Sequence, residues 1–236
     1  MLISYFALFD AAARPAMRVS DDDLARVIAI ARTTPRLVKA LVYTPEVTRD
    51  PYLDDGPAPP LGLQLYFDDI AHLEAALARD GALRALAAPD ALPSLDGATV
   101  TQQAMLTRRF PVPDARFRTR PGALACTYLV HYPGDAEDVG AWLAHYIAHH
   151  PPIMARFPGI REIEIYTRLD WCGCLPWRRV DHMQRNKVVF DDTAALTAAL
   201  NSPVRHEMRA DFERFPPYAG GSVHHPLATR TIMPAC

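Results

Sequence analysis

At 236 residues, half of them hydrophobic, the chain is long enough for two domains of ordinary size and can bury a sizeable core. A net charge of −2 and a pI near 6.5 leave no electrostatic footprint for nucleic acid or an anionic membrane, and no apolar run is long enough to span a bilayer. Four cysteines are too few for a disulfide scaffold. Cys172 and Cys174 flank one glycine, which is neither redox nor zinc-knuckle spacing, so a reduced, cytoplasmic setting is expected.

Residues 2–13 could pass for a signal peptide, but no basic residue precedes Arg14 and Asp10 ends the apolar run, so a first strand over 2–9 is expected. Ser20 is a candidate N-cap, and Asp21, Asp22 and Asp23 complement the dipole of a helix running through Arg32. A strand over 37–43, a loop rich in Pro, Asp and Gly over 44–61 and a strand over 62–67 follow. Asp68 and Asp69 cap a helix from Ile70 to about Ala88, and a strand over 99–108 closes the unit. The proline-marked segment 110–122 reads as a linker. Beyond it come a strand (124–132), a helix (135–156), two strands (160–167 and 183–190), a helix (193–215) and a last strand (222–232).

The two halves repeat at a fixed offset of 123 residues. Pro35 matches Pro158, Tyr43-Thr44 matches Tyr166-Thr167, Phe67-Asp68-Asp69 matches Phe190-Asp191-Asp192, and Tyr5 meets Tyr128. A period this long marks a tandem duplication rather than a solenoid. The expected organisation is residues 1–109 as one domain, 110–122 as linker and 123–236 as a second domain. Each domain runs β-α-β-β-α-β. The fold class is therefore α+β, with two ferredoxin-like domains in tandem. One such sheet has helices on one face only, so the two antiparallel sheets are expected to pack face to face as an intramolecular α/β barrel.

Residues 142–161 concentrate the groups able to handle protons near neutral pH. Leu143, Tyr146, Ile147, His150 and Met154 form one helical stripe facing the sheet, while His145 and His149 lie on the flank nearer solvent. Pro151 and Pro152 should end or kink the helix at His150. There the helix dipole favours the protonated imidazole and burial disfavours it, so His150 is expected to titrate near neutral and to serve as a general acid/base. Tyr146, one turn earlier, would hydrogen-bond the substrate or an enolate-like oxygen. Alternatively, His150 satisfies a backbone carbonyl near the kink. Trp142, Tyr128 and Tyr166 are candidate pocket walls. His182 lies on a loop that could close over a cleft, and His224 and His225 should point to opposite faces of the last strand. His145 and His149 have no acidic or cysteine partner at a recognisable ligand spacing, so no metal is expected.

The second half resembles the EthD family of the dimeric α/β-barrel superfamily. The residues that carry the likeness are Tyr146, His150-Pro151-Pro152-Ile153, Pro158-Gly159-Ile160 and Phe190-Asp191-Asp192, in that order. The first half departs, with Val27 at the position of His150 and Asp23 at that of Tyr146. The resemblance implies an enzyme that needs no cofactor. It would transfer a proton on a small hydrophobic or aromatic compound, as an isomerase, cyclase, dehydratase or lyase, with His150 and Tyr146 catalytic; Trp142, Tyr128, Tyr166 and His182, from their own positions, are the expected substrate-binding residues. It equally allows a non-catalytic accessory or small-molecule-binding protein of a degradation pathway, or a haem protein held on a helix histidine. The expected partner is a small organic ligand, with no nucleic acid and no membrane; a homodimer is compatible with the pattern.

Overall fold

The computed structural model describes residues 1–235. Its elements in order are β1 (Ile3–Asp10), α1 (Asp21–Thr33), β2 (Lys39–Pro45), β3 (Leu61–Phe67), α2 (Ile70–Leu77) and β4 (Thr99–Phe110). The second half has β5 (Ala125–Tyr132), α3 (Val139–Met154), β6 (Ile160–Arg168), the short β7 (Arg178–Arg179), β8 (Gln184–Phe190), α4 (Thr193–Leu200), α5 (Pro203–Phe212) and β9 (Val223–Ile232). No helix among the described residues is long and apolar enough to cross a membrane.

The long strands form one closed antiparallel barrel of eight, in the order β1-β3-β2-β9-β5-β8-β6-β4 and back to β1. The first half contributes β4-β1-β3-β2 and the second β9-β5-β8-β6. Two seams join them: β2 pairs with β9 (Tyr43 opposite Thr229), and β4 pairs with β6 (Thr107 opposite Tyr166). The sheets thus do more than face each other, because their edges hydrogen-bond and, among the described residues, no long strand is left with a free edge. β7 adds in parallel outside β4.

Alternation along each strand sorts the side chains. On β1, Ile3, Tyr5, Ala7 and Phe9 face the helices, while Phe6 and Leu8 point into the barrel. The interior is polar as well as apolar. Glu164, fully buried, accepts from Tyr66 (2.5 Å), Tyr166 (2.7 Å) and Arg109 (3.1 Å), and Lys187 lies 3.2 Å away. From Tyr166 the chain of hydrogen bonds continues through Gln64 to Ser4 and Thr107. This network draws on both halves.

Local signals explain most element starts. Ser20 Oγ accepts from the Asp23 amide, and Asp69 and Asp192, 123 residues apart, cap α2 and α4 in the same way. Two helices differ from expectation. The segment 70–88 is α2 followed by a 3-10 stretch (Ala82–Ala87), and 193–215 breaks into α4 and α5 at Asn201-Ser202-Pro203. Proline at the first position of α5 starts a new helix more readily than it continues an old one. The same 123-residue offset relates two positions of backbone strain. Gly159 (φ 76°) and Arg36 (φ 60°), 123 residues apart, both turn the chain through the left-handed region before a strand.

At Gly159 a Cβ would meet nothing nearer than the Ala195 Cβ at 4.0 Å, so Gly159→Ala isolates the backbone penalty of about 1–2 kcal/mol. Thermal melts should show it as a fall of several degrees, whereas Arg36→Gly, which relieves the same strain, should lose no stability. Equal losses in the two variants would contradict the shared turn.

Candidate functional site

Asp138 caps α3 by accepting from the Ala141 amide, and the helix then runs through both prolines to Met154. The expected end or kink at His150 is therefore corrected. Pro151 and Pro152 remove two donors, but Pro151 still accepts from the Ala155 amide at 2.9 Å, so a further turn forms beyond His150. The buried stripe of α3 is Trp142, Tyr146, His150, Pro151 and Met154, with Leu143 and Ile147 half-buried beside it. Trp142 stacks on Tyr146 (centroids 5.1 Å, 18°), and Tyr146 lies 4.7 Å from the His150 ring. Phe215 closes edge-on over His150 at 5.0 Å. The segment carrying Phe215 comes this close because it crosses the β5–α3 turn at Gly134, where a Cβ would sit 1.9 Å from the Ala219 carbonyl oxygen.

Opposite α3, α5 presents Asp211. Its Oδ2 lies 2.6 Å from His150 Nδ1, and both side chains are buried. Burial pulls the His150 pKa below the ordinary histidine value, and the Asp211 hydrogen bond and charge only partly oppose it. Burial also acts to raise the Asp211 carboxyl, but the His150 contact holds it below the usual range. At neutral pH the pair is a neutral imidazole donating Nδ1–H to a carboxylate. That fixes the tautomer and leaves Nε2 as a lone-pair base with no hydrogen bond among the described residues. Expected to titrate near neutral, His150 is instead pulled below the ordinary histidine value by its burial. His145 Nε2 approaches the other Asp211 oxygen at 3.8 Å, and His149 sits exposed on the same flank. No group of three or more His, Cys, Asp or Glu placed to hold a metal ion occurs among the described residues.

His150 opens onto a cavity of about 60 Å³ between the helices and the outer face of β5, β8 and β9. Val130, Val188, Met154, Met208 and Phe212 make it apolar; Asn186, Arg205 and His224 supply polar edges. Its remaining wall comes from the other half of the chain. The long loop between β2 and β3 reaches across with Leu53, and Asp50 receives two hydrogen bonds from Arg205 (2.9 and 3.0 Å) and one from Tyr128 (3.0 Å). Further tethers are Thr48 to Thr197, Tyr52 to His206 and Asp55 to His224. Leu53, Tyr128 and His224 also line a second cavity of about 270 Å³ on the far side of the loop, so these three side chains partition the two spaces.

At the equivalent place in the first half, the reciprocal loop packs against the helix face. Trp171 packs on Tyr5 (5.7 Å), Trp177 on Phe9 (5.6 Å), and Leu175 is buried among the same residues. Val27 and Asp23, at the positions matching His150 and Tyr146, are both buried; Asp23 accepts from the Ser94 amide and hydroxyl.

Of the residues singled out in the sequence, His150 and Tyr128 line the cavity. Tyr146 stands behind it, its hydroxyl accepting from Asn186 at 2.7 Å, and Trp142 lies deeper still in the core. Tyr166 points into the barrel, in the Glu164 network, away from the cavity. His182 also lies apart, stacked on His131 (5.6 Å, 17°) at one end of the barrel, where burial beside Arg185 pulls its pKa down to about 3. His224 and His225 do take opposite faces: the first borders the cavity, the second packs 5.3 Å from His131. Sequence reasoning missed Asp211, Asp50, Arg205 and Asn186. Asp211 falls on an amphipathic segment next to Phe212 and Phe215, the one local hint that it faces inward.

No family model and no curated protein matches the chain. Its fold, however, recurs in solved structures. An anthrone oxidase-like protein aligns over 98% of this chain and 93% of its own, at 13% identity and a TM-score of 0.59. A candidate monooxygenase from Fusobacterium nucleatum aligns over 98% and 94%, at 7% identity and 0.55. A chlorite dismutase mutant from Candidatus Nitrospira defluvii aligns over 96% and 91%, at 10% identity and 0.50. The likeness is one of fold. In this protein the closed eight-stranded antiparallel barrel is built from a single chain.

Asp50→Ala would leave the half-buried Arg205 guanidinium without its carboxylate, which typically costs about 3 kcal/mol. Urea or thermal unfolding should register that loss as roughly 6–12 °C in a chain of this size. Replacing both partners, as in Asp50→Leu with Arg205→Met, should recover most of it. A loss of stability unchanged in the double variant would mean that the pair is not what holds the loop.

Proposed function

We propose that this chain is a cofactor-independent enzyme that moves a proton on a small hydrophobic or aromatic compound, with His150 Nε2 as general acid/base and Asp211 as its positioning partner. The observation that carries the assignment is the 2.6 Å His150–Asp211 contact, with Nε2 left open to an apolar cavity. A neutral imidazole takes a proton from an activated C–H or O–H; the ionised Asp211 stabilises the imidazolium as it forms and holds the ring in the required tautomer. Asn186 and Tyr128 are the neighbouring polar groups for a substrate oxygen, and Tyr146 orients Asn186 from behind. The fate of the carbanion or enolate then sets the reaction: return of the proton elsewhere gives an isomerisation, loss of a group a lyase or dehydratase step.

The cavity beside His150 holds only a few water-sized volumes, so substrate entry requires the β2–β3 loop to shift Leu53. Even joined to its neighbour across Leu53, the space of about 60 and 270 Å³ reaches only the lower end of ligand pockets, about 300–1,000 Å³. That suits a compound of one to three rings and does not fit a haem macrocycle. The assignment carries with it a tandem duplication whose first copy has lost its cavity, a reduced cytoplasmic setting and a chain that needs no homodimer to complete its barrel. A binding protein of a degradation pathway is the competing assignment.

A panel of lactones, polyketide-like aromatics and, given the anthrone oxidase-like neighbour, hydroxyanthrones would be followed by turnover and by dioxygen consumption. His150→Ala should lower the rate about 10²–10⁴-fold. The base works only when unprotonated, so activity should rise with pH through a His150 pKa below the ordinary value and be flat at neutrality. Asp211 raises that pKa, so Asp211→Asn should lower the rate and move the acid limb to still lower pH. Turnover that His150→Ala leaves intact on every substrate would remove His150 from the chemistry. Tight binding with no turnover by any variant would favour the binding protein.

A further inference from the structure

The chain carries 23 arginines but only two lysines, Lys39 and Lys187, and both line one cavity. The cavity, about 700 Å³, sits at one end of the barrel, on the opposite face of the sheet from His150: on β8, Val188 borders the His150 cavity while Lys187 and Val189 border this one. Leu41, Val189, Ile232 and Phe117 give it apolar walls, and Thr127 and Glu162 add polar groups. Phe117 belongs to the segment joining the two halves, which Arg161 anchors by pairing with both Asp114 and Asp191.

The two ammonium groups are in different situations. Lys187 is fully paired, with Glu162 at 2.7 Å, Glu164 at 3.2 Å and the Tyr66 hydroxyl at 2.8 Å. Lys39 has no ion pair and no side-chain hydrogen bond among the described residues. It lies over the Tyr66 ring, 4.4 Å from the centroid, with Lys187 5.4 Å from the same point. Burial first, and then the charge of Lys187, hold the Lys39 pKa below the ordinary lysine value. Desolvation beside a second cation is the arrangement that turns a lysine into a nucleophile, a conversion an arginine cannot make.

We infer that Lys39 is a reactive amine that captures a small apolar aldehyde or ketone as a Schiff base inside the barrel, at a site separate from His150. The neutral Nζ adds to the carbonyl carbon and gives a carbinolamine. Its hydroxyl leaves as water, with Glu162 in the same cavity taking and returning the proton, and a C=N bond replaces C=O. Water reverses the step, and no oxidant or reductant is consumed.

The full-length protein would be incubated at neutral pH with benzaldehyde and cyanoborohydride, which reduces the imine to a stable benzylamine, and mapped by peptide mass. The adduct should form at Lys39 faster than on Nα-acetyl-lysine amide under the same conditions, by about tenfold for each unit that Lys39 lies below the usual lysine pKa. Lys187, held by its carboxylates, should stay unlabelled. Lys39→Arg should abolish that adduct while keeping the wild-type near-UV circular dichroism and the labelling of the amino terminus. Labelling of Lys39 no faster than the free amine, or adducts on Lys187 or the amino terminus alone, would overturn the inference.

Discussion

A β-α-β-β-α-β unit covers one face of its sheet with helices and leaves the other bare, and the whole molecule follows from how that bare face is buried. Here each half covers the other, and the seams β2–β9 and β4–β6 close the sheet. The barrel interior is not simply greasy. Glu164 lies fully buried, and burial alone would raise its pKa; Lys187, Tyr66 and Tyr166 hold it below the usual carboxylate range instead. A buried carboxylate is tolerable only with its partners in place, and these come from both halves. Because side chains alternate with period two, a one-residue slip of β3 or β8 would carry Tyr66 or Lys187 to the helix side and take that partner from Glu164. The network therefore specifies register as much as it stabilises.

Closure of the barrel also sets the asymmetry between halves. Each half sends its long loop over the helix face of the other, and the composition of that loop decides what happens beneath. The loop between β6 and β8 brings Trp171, Leu175 and Trp177, which plug the first half. The loop between β2 and β3 brings Asp50, Tyr52 and Asp55, which grip α5 and β9 at their rims and leave space under Leu53. One scaffold is thereby packed shut on one side and left hollow on the other.

How much of this was legible in the sequence follows from the range of the interactions. The 123-residue offset marked the paired caps Asp69 and Asp192 and the paired turns at Arg36 and Gly159, all set by neighbours a few residues away. The break at Ser202-Pro203 is present as a proline but is masked by an alanine-rich segment before it and by Arg, Glu and Met after it, all of which favour helix. Tyr166 shares its face with Glu162 and Glu164, and the Glu-Ile-Glu-Ile alternation separates the two faces of β6 without telling which of them is the barrel side. Asp211 lies 61 residues from His150 and Asp50 lies 155 from Arg205, so neither pairing leaves a local trace.

The comparison of His150 with Val27 bears most directly on function. At equivalent points of one architecture, an apolar side chain packs in the core at Val27 with no polar partner required. At His150 the chain buries an imidazole and a carboxylate together, two groups whose desolvation is unfavourable and whose mutual contact only offsets it. Valine shows that the fold can be satisfied more simply at such a position. The pair nonetheless faces the hollow half, with the outer nitrogen unpaired, while its twin sits beneath a loop that seals it. A polar pair that stability does not demand, set beside a space under the loop, is the physical ground for the role proposed for His150.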